Sequence, residues 1–375
     1  MAFFFNNKHY ITASILFSIL FSLAMFDIMH IVAHEEKAAP TLFIFGDSAF
    51  DVGTNNFLMS RTKANFPYNG IDFNQSFPTG RFSNGLNTAD QIARRFGYTK
   101  SPPPFLALEK LQYTFKHNIL LGVNFASGGS GVLRYTGYKQ SGEVVSLEKQ
   151  VEQFELVCGN ITEILGPEKA TTFVSKALFL ISVGSNDILD YTHGYSSVFQ
   201  FGKEEHLAVL QHNYYLHIKK LYELGARKFG ILSVPPIGCY PAATSTNEEN
   251  CVKSLNEFAV AFYKATHALM QKLSSELGNF EYSLGNTYAM TTTMLKDPLA
   301  FGMKDTKSAC CGFGRLNGWG PCVEAFHTNV CVNRTDYLFW DWFNPTEKAS
   351  ELVAKTLFEG GTEFVFPMNF SQLIN

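Results

Sequence analysis

Short runs of apolar residues alternate along this chain with longer stretches whose apolar positions recur every three to four residues. Thr41–Phe45, Ile119–Phe125, Ala177–Val183 and Lys228–Val234 read as buried strands, the last broken by Pro235–Pro236. Between and after them, Asn87–Phe96, Leu147–Val157, Glu204–Leu224 and Val252–Leu277 carry the helical period. Strand and helix in alternation predict an α/β fold: one domain of three layers, α/β/α, around a mostly parallel sheet of flavodoxin-like type. No internal repeat and no low-complexity tract interrupts the pattern, so one domain is expected over residues 41–358, followed by a C-terminal tail at 359–375.

The N-terminus departs from that rhythm. Lys8 and His9 precede an apolar run from Ile11 to Ala24, a length that suits a secretory signal better than a membrane span. Residues 1–33 are therefore read as a signal peptide, cleaved after Ala24 or Ala33, with no stable membrane insertion afterwards. Four N-x-S/T sequons, at Asn74, Asn160, Asn333 and Asn369, are candidate glycosylation sites of a secreted protein.

Seven cysteines agree with an oxidising compartment, where most pair. Cys239–Cys251 would close a short loop, and Cys310 or Cys311 would pair with Cys322 and Cys331. An odd count leaves one thiol over, and Cys158 is the expected one. No C-x-x-C or H-E-x-x-H spacing points to a metal. Neither G-x-G-x-x-G nor G-x-x-x-x-G-K-[ST] occurs, so no nucleotide cofactor is expected.

The chain of 375 residues is 46% hydrophobic and 17% charged, with a formal charge of −3. Its lysines and arginines are scattered, which argues against nucleic acid or an anionic membrane as partner. A small or neutral molecule is the partner that remains, and a monomer is expected.

Chemistry concentrates where the strands end. The first closes on Gly46-Asp47-Ser48, the second on Ala126-Ser127-Gly128-Gly129 and the third on Gly184-Ser185-Asn186-Asp187. Each of these turns alone is explained by the turn preference of Gly, Asn, Asp and Ser. In an open α/β sheet, however, ligands bind beyond the carboxyl ends of the strands, so three such turns converge on one crevice. A serine hydroxyl there needs a base to become a nucleophile, and its tetrahedral intermediate needs preorganised donors.

With Asp341-Trp-Phe-Asn344 as a fourth block, the set resembles the GDSL esterase/lipase family, also called SGNH hydrolases. Asn55-Asn56, Gly80-Arg81-Phe82-Ser83-Asn84-Gly85, Pro235-Pro236-Ile237-Gly238-Cys239 and Cys310-Cys311-Gly312 resemble signatures of its plant secreted branch. The resemblance implies a secreted, extracellular enzyme acting on carboxylic esters, of acyl lipids or of the cell wall, or an acyltransferase. It implies Ser48 as nucleophile, and Ser48, Gly128 (or Gly129) and Asn186 as oxyanion donors. It implies Asp341 as the residue that orients a histidine three positions later, and there the chain departs from the pattern.

Position 344 is asparagine. A carboxamide has no basic nitrogen and cannot accept the serine proton. Asn344-Pro345-Thr346-Glu347 also reads as a helix start, with Asn344 as N-cap, Pro at the first helical position and Glu at the third. The expectation is a weakened hydrolase, or a silent member that binds an ester, lipid or glycan. Among His193, His206, His212, His217, His267 and His327, only His327, in a cysteine-flanked loop, is a candidate substitute base. Trp340, Trp342 and Phe343 flank the site and are candidates to line a substrate pocket.

Overall fold

The computed structural model describes residues 39–73, 76–195, 202–246, 250–324 and 327–375. The signal-peptide region and the sequon at Asn74 lie outside the described residues. Pro40–Asn375 form a single compact unit.

The central sheet is built from β1 (Leu42–Gly46), β2 (Val123–Asn124), β3 (Leu178–Ser182), β4 (Lys228–Leu232), β5 (Glu281–Gly285) and β6 (Val365–Phe366), in the order β6-β5-β4-β3-β1-β2. All pairings are parallel except β6 with β5. Register is direct: Phe43 faces Phe179, which faces Phe229.

Strand residues alternate between two faces, as the pleat requires. Phe43, Phe45, Phe179 and Phe229 enter one core with α2 (Leu147–Leu165), α5 (Lys203–Glu223) and α6 (Lys253–Glu276). Leu42, Ile44, Leu178 and Leu180 enter the other with α1 (Thr88–Arg95), α7 (Thr287–Lys296) and α8 (Glu347–Glu359). The chain is thus the three-layer α/β/α molecule that its periodicity predicts. Asn87 caps α1 in a reciprocal capping box with Asp90, satisfying two backbone donors that would otherwise be bare.

Three expectations need correction. Ile119–Leu121 is a 3-10 turn rather than strand, so β2 is only two residues long. Residues 359–375 are no appendage: β6 closes the sheet edge, and Phe370 and Leu373 of α9 (Phe370–Leu373) are fully buried. Finally, α8 begins later than its sequence suggests. Thr346 is the N-cap, its side chain accepting from the Ala349 N–H, because Pro345 is still extended and bridges Phe339.

Disulfides join Cys239 to Cys251, Cys310 to Cys331 and Cys311 to Cys322, and Cys158 is the free thiol. The last two bridges enclose Trp340, whose indole N–H donates to Asn69 Oδ1 at 2.9 Å. Trp340 therefore packs a cystine cluster and does not reach the substrate cleft.

Candidate active site

The carboxyl end of β1 is held unusually close to β3. A Cβ on Gly46 would lie 2.1 Å from the Ser182 carbonyl oxygen, so only glycine fits there. Gln150 clamps the same turn, accepting from the Gly46 N–H at 2.8 Å and donating to its carbonyl at 2.9 Å. Ser48 follows immediately, half-exposed at the top of the sheet. Its N–H has no protein acceptor among the described residues.

The turn after β2 is fixed by the residues that resemble family signatures. Asp51 accepts from the Gly53 and Thr54 N–H groups, both at 2.7 Å, and from the Gly128 N–H at 2.8 Å. Asn55 donates to the Gly128 carbonyl at 2.8 Å and accepts from Ser127 Oγ at 2.6 Å. The expectation for Gly128 is corrected by this network, because its N–H is already committed to Asp51. Gly129 takes its place in the cleft. Its N–H has no acceptor among the described residues, and its φ of 87° aims the backbone where an L side chain would be strained.

Gly184 opens α4 (Ser185–Thr192), which carries Asn186 in its first turn. Asn186 Nδ2 donates to the Ser130 carbonyl at 2.9 Å, fixing the carboxamide while leaving its second N–H free. Asp187 is fully committed elsewhere: it accepts from the Val132 and Leu133 N–H groups and from Thr136 Oγ1, and so ties α4 to the loop after Gly131.

The fourth block closes the arrangement. Asp341 Oδ1 accepts from the Phe343 N–H at 2.9 Å and the Asn344 N–H at 2.8 Å. Asn344 Nδ2 lies 2.9 and 3.1 Å from the two carboxylate oxygens. Asn344 is thus a carboxamide fastened to Asp341 rather than the predicted helix cap. Its side chain takes the bond to Asp341 that an imidazole N–H would otherwise make.

Ser48, Gly129, Asn186, Asp341 and Asn344 line one cleft of about 230 Å³. Trp342 and Phe343 share its wall, as does Tyr240. His327 does not reach it: the residue is exposed in its loop and absent from the lining. Nor do His193, His206, His212, His217 and His267 line this cleft. His206 is buried in the core against Tyr191 and Phe258, and His217 bonds the Val132 carbonyl at 3.0 Å.

Carboxylates dominate the electrostatics. Burial pushes Asp47 up to about 7, helped by the charges of Asp187 and Asp51, although the Ala49 N–H opposes the shift. Burial raises Asp51, Asp187 and Asp341 to about 6 each, against the backbone donors that bind them. Asp47 also lines the cleft, a placement that its seat beside the nucleophile in Gly46-Asp47-Ser48 signals but that sequence reasoning passed over. Among the described residues no cluster of His, Cys, Asp and Glu has the arrangement of a metal site.

A strand-end serine, free backbone donors and a buried acid in one cleft are the layout of a serine ester hydrolase. The family model for GDSL-like lipase/acylhydrolase matches residues 42–357. The chain belongs to that family. GDSL esterase/lipase At5g55050 of Arabidopsis thaliana is 34% identical over 377 residues, covering 99% of both chains. GDSL esterase/lipase LTL1 of the same plant is 36% identical over 357 residues, 94% of this chain and 95% of the relative. The chain is accordingly a GDSL-type ester hydrolase of the carboxylic-ester class, acting on small-molecule esters. Among the described residues no helix is long and apolar enough to cross a membrane.

Proposed function

We propose that this GDSL hydrolase is secreted and attacks acyl-lipid or cell-wall esters through Ser48, with turnover limited by the absence of a histidine base. The observation that carries the reading is the shared cleft: Ser48, Gly129, Asn186, Asp341 and Asn344 face one cavity. The Ser48 and Gly129 N–H groups and the free Asn186 N–H serve as donors for the oxyanion. Such donors act where charge develops and are each worth about 3–4 kcal/mol in comparable sites.

In the first step Ser48 Oγ attacks the ester carbonyl, its O–H proton passes to solvent water, and negative charge moves to the carbonyl oxygen. The proton has no imidazole to receive it. Asn344 offers only a carboxamide, whose Nδ2 donates to Asp341 and whose oxygen is not a base, and Asp341 is held by four hydrogen-bond contacts. Donors and positioning alone give roughly 10³–10⁴-fold acceleration over water in a triad-less serine hydrolase. The protein is then a slow esterase.

Asn344 also favours a second reading, a member that binds esters without turning them over. Mass spectrometry after treatment with a fluorophosphonate separates the two. The hydrolase reading expects an adduct on Ser48 that is lost in Ser48→Ala; a folded wild-type protein with no adduct on Ser48 rejects it.

Secretion is supported by the N-terminal apolar run and the three disulfides. Of the candidate glycosylation sites, Asn333 is exposed, whereas Asn160 and Asn369 are half-buried and donate to backbone carbonyls. Asn333 is therefore the site best placed to carry a glycan.

A further inference from the structure

A second, open groove lies directly beside the catalytic cleft. Its volume is about 460 Å³, and carbon makes up most of its wall. Leu189, Trp342 and Phe343 line both cavities and form the ridge between them. Beyond the ridge the groove runs over Ala242, Ala243 and Leu255 to the exposed ring of Trp319.

Both walls begin at residues of the catalytic cleft. Along α4, Asn186 stands in the cleft, Leu189 one turn on is on the ridge, and Thr192 with His193 reaches the groove. At 1.5 Å per residue, the run from 186 to 192 covers roughly 9 Å, within reach of a medium-length acyl chain. On the other side, Asp341 is followed at once by Trp342 and Phe343, whose rings pack together with centroids 4.6 Å apart. The Ala242 N–H donates to the Trp342 carbonyl at 3.1 Å, fixing that wall to the groove floor. An ester carbonyl carbon placed at Ser48 thus has an apolar groove next to it, just across the Leu189–Trp342–Phe343 ridge.

We infer that this groove is the acyl-chain subsite and that the enzyme takes esters of medium-length and longer acyl groups rather than acetyl esters. The inference rests on the ester-hydrolase reading above, and it names the side of the ester that confers selectivity. Thr192, His193 and Thr246 supply polar groups on the otherwise apolar wall of the groove.

The test is equilibrium binding of the uncleaved homologues butanamide, hexanamide, octanamide and decanamide to the full wild-type chain, which requires no turnover. Each methylene seated in the groove is expected to tighten binding about fourfold, the equivalent of about 0.8 kcal/mol per buried CH₂. Ala243→Trp, which fills the groove, is expected to flatten the series beyond hexanamide. Should that variant not fold, ω-bromodecanamide supplies the second readout. It is expected to quench tryptophan fluorescence in the wild type, and to quench it less in Trp319→Phe. A flat series in the wild type, an unchanged slope in folded Ala243→Trp, or quenching indifferent to Trp319 overturns the assignment. Absence of the Ser48 adduct would instead reject the hydrolase reading while the amide series still reports on the groove.

Discussion

Replacing Asn344 by histidine is the perturbation for which the structure gives the clearest magnitude. The backbone at 344 is pinned by two bonds, the Asn344 N–H to Asp341 Oδ1 at 2.8 Å and the Trp340 N–H to the Asn344 carbonyl at 2.8 Å. An imidazole built on that frame meets the same Asp341 carboxylate that now receives Nδ2. Its near nitrogen donates to the acid, and its far nitrogen is directed into the cleft that Ser48 lines. The adjoining cavity of about 230 Å³ gives the ring space, so the stability change should stay within about 1 kcal/mol. A positioned general base contributes about 10²–10⁴-fold, or about 2.7–5.4 kcal/mol of barrier at 1.36 kcal/mol per tenfold. Steady-state hydrolysis of p-nitrophenyl butyrate and octanoate, wild type beside Asn344→His, measures it. The variant should gain at least about 10²-fold in kcat. A folded variant, labelled at Ser48 by a fluorophosphonate, that gains less than about tenfold would refute the reasoning.

In the Asn344→His background, Asn186→Ala should lower kcat by about 10²–10³, the cost of one lost oxyanion donor, with KM little changed. Stability should fall as pH rises. Asp47 is raised from 3.8 to about 7, so its contribution is complete below 3.8 and disappears as pH climbs through about 7. That difference of roughly three pKa units corresponds to about 4 kcal/mol, and the melting temperature should be higher at pH 5 than at pH 8. Asp47→Asn should flatten the dependence. Removing the Cys310–Cys331 bridge by Cys310→Ala with Cys331→Ala should cost about 3 kcal/mol in denaturant unfolding. Because the cystines enclose Trp340, the residue before Asp341, the same double variant should also lower the activity of Asn344→His.

How much of this was legible in the sequence differs from element to element. The three strand-end motifs were readable because each couples a buried apolar run to a glycine-bearing turn, and topology brings such turns together. The Cys239–Cys251 bridge is a local feature that spacing alone suggests. By contrast, β5 and β6 leave weak patterns. Glu281 at the head of β5 is exposed and Gly285 closes it, while β6 is two residues long and is fixed by its partner rather than its own sequence. Sequence left the choice between Gly128 and Gly129 open, because it is Asp51, distant in sequence, that claims the Gly128 N–H. Two residues near α8 can cap it, Asn344 and Thr346. Local preference does not choose between them; the bridge at Pro345 and the pull of Asp341 do.

The rate of Ser48 phosphonylation as a function of pH, measured for wild type and Asn344→His together, bears most directly on a built cleft that lacks its proton acceptor. The account predicts that the variant reacts at least about 10²-fold faster. It also predicts that the variant adds an imidazole inflection, near the ordinary histidine value of about 6.5, to the profile that the cleft carboxylates Asp47 and Asp341 give the wild type. Superimposable profiles, with wild type as fast as the variant and sharing that inflection, would contradict it.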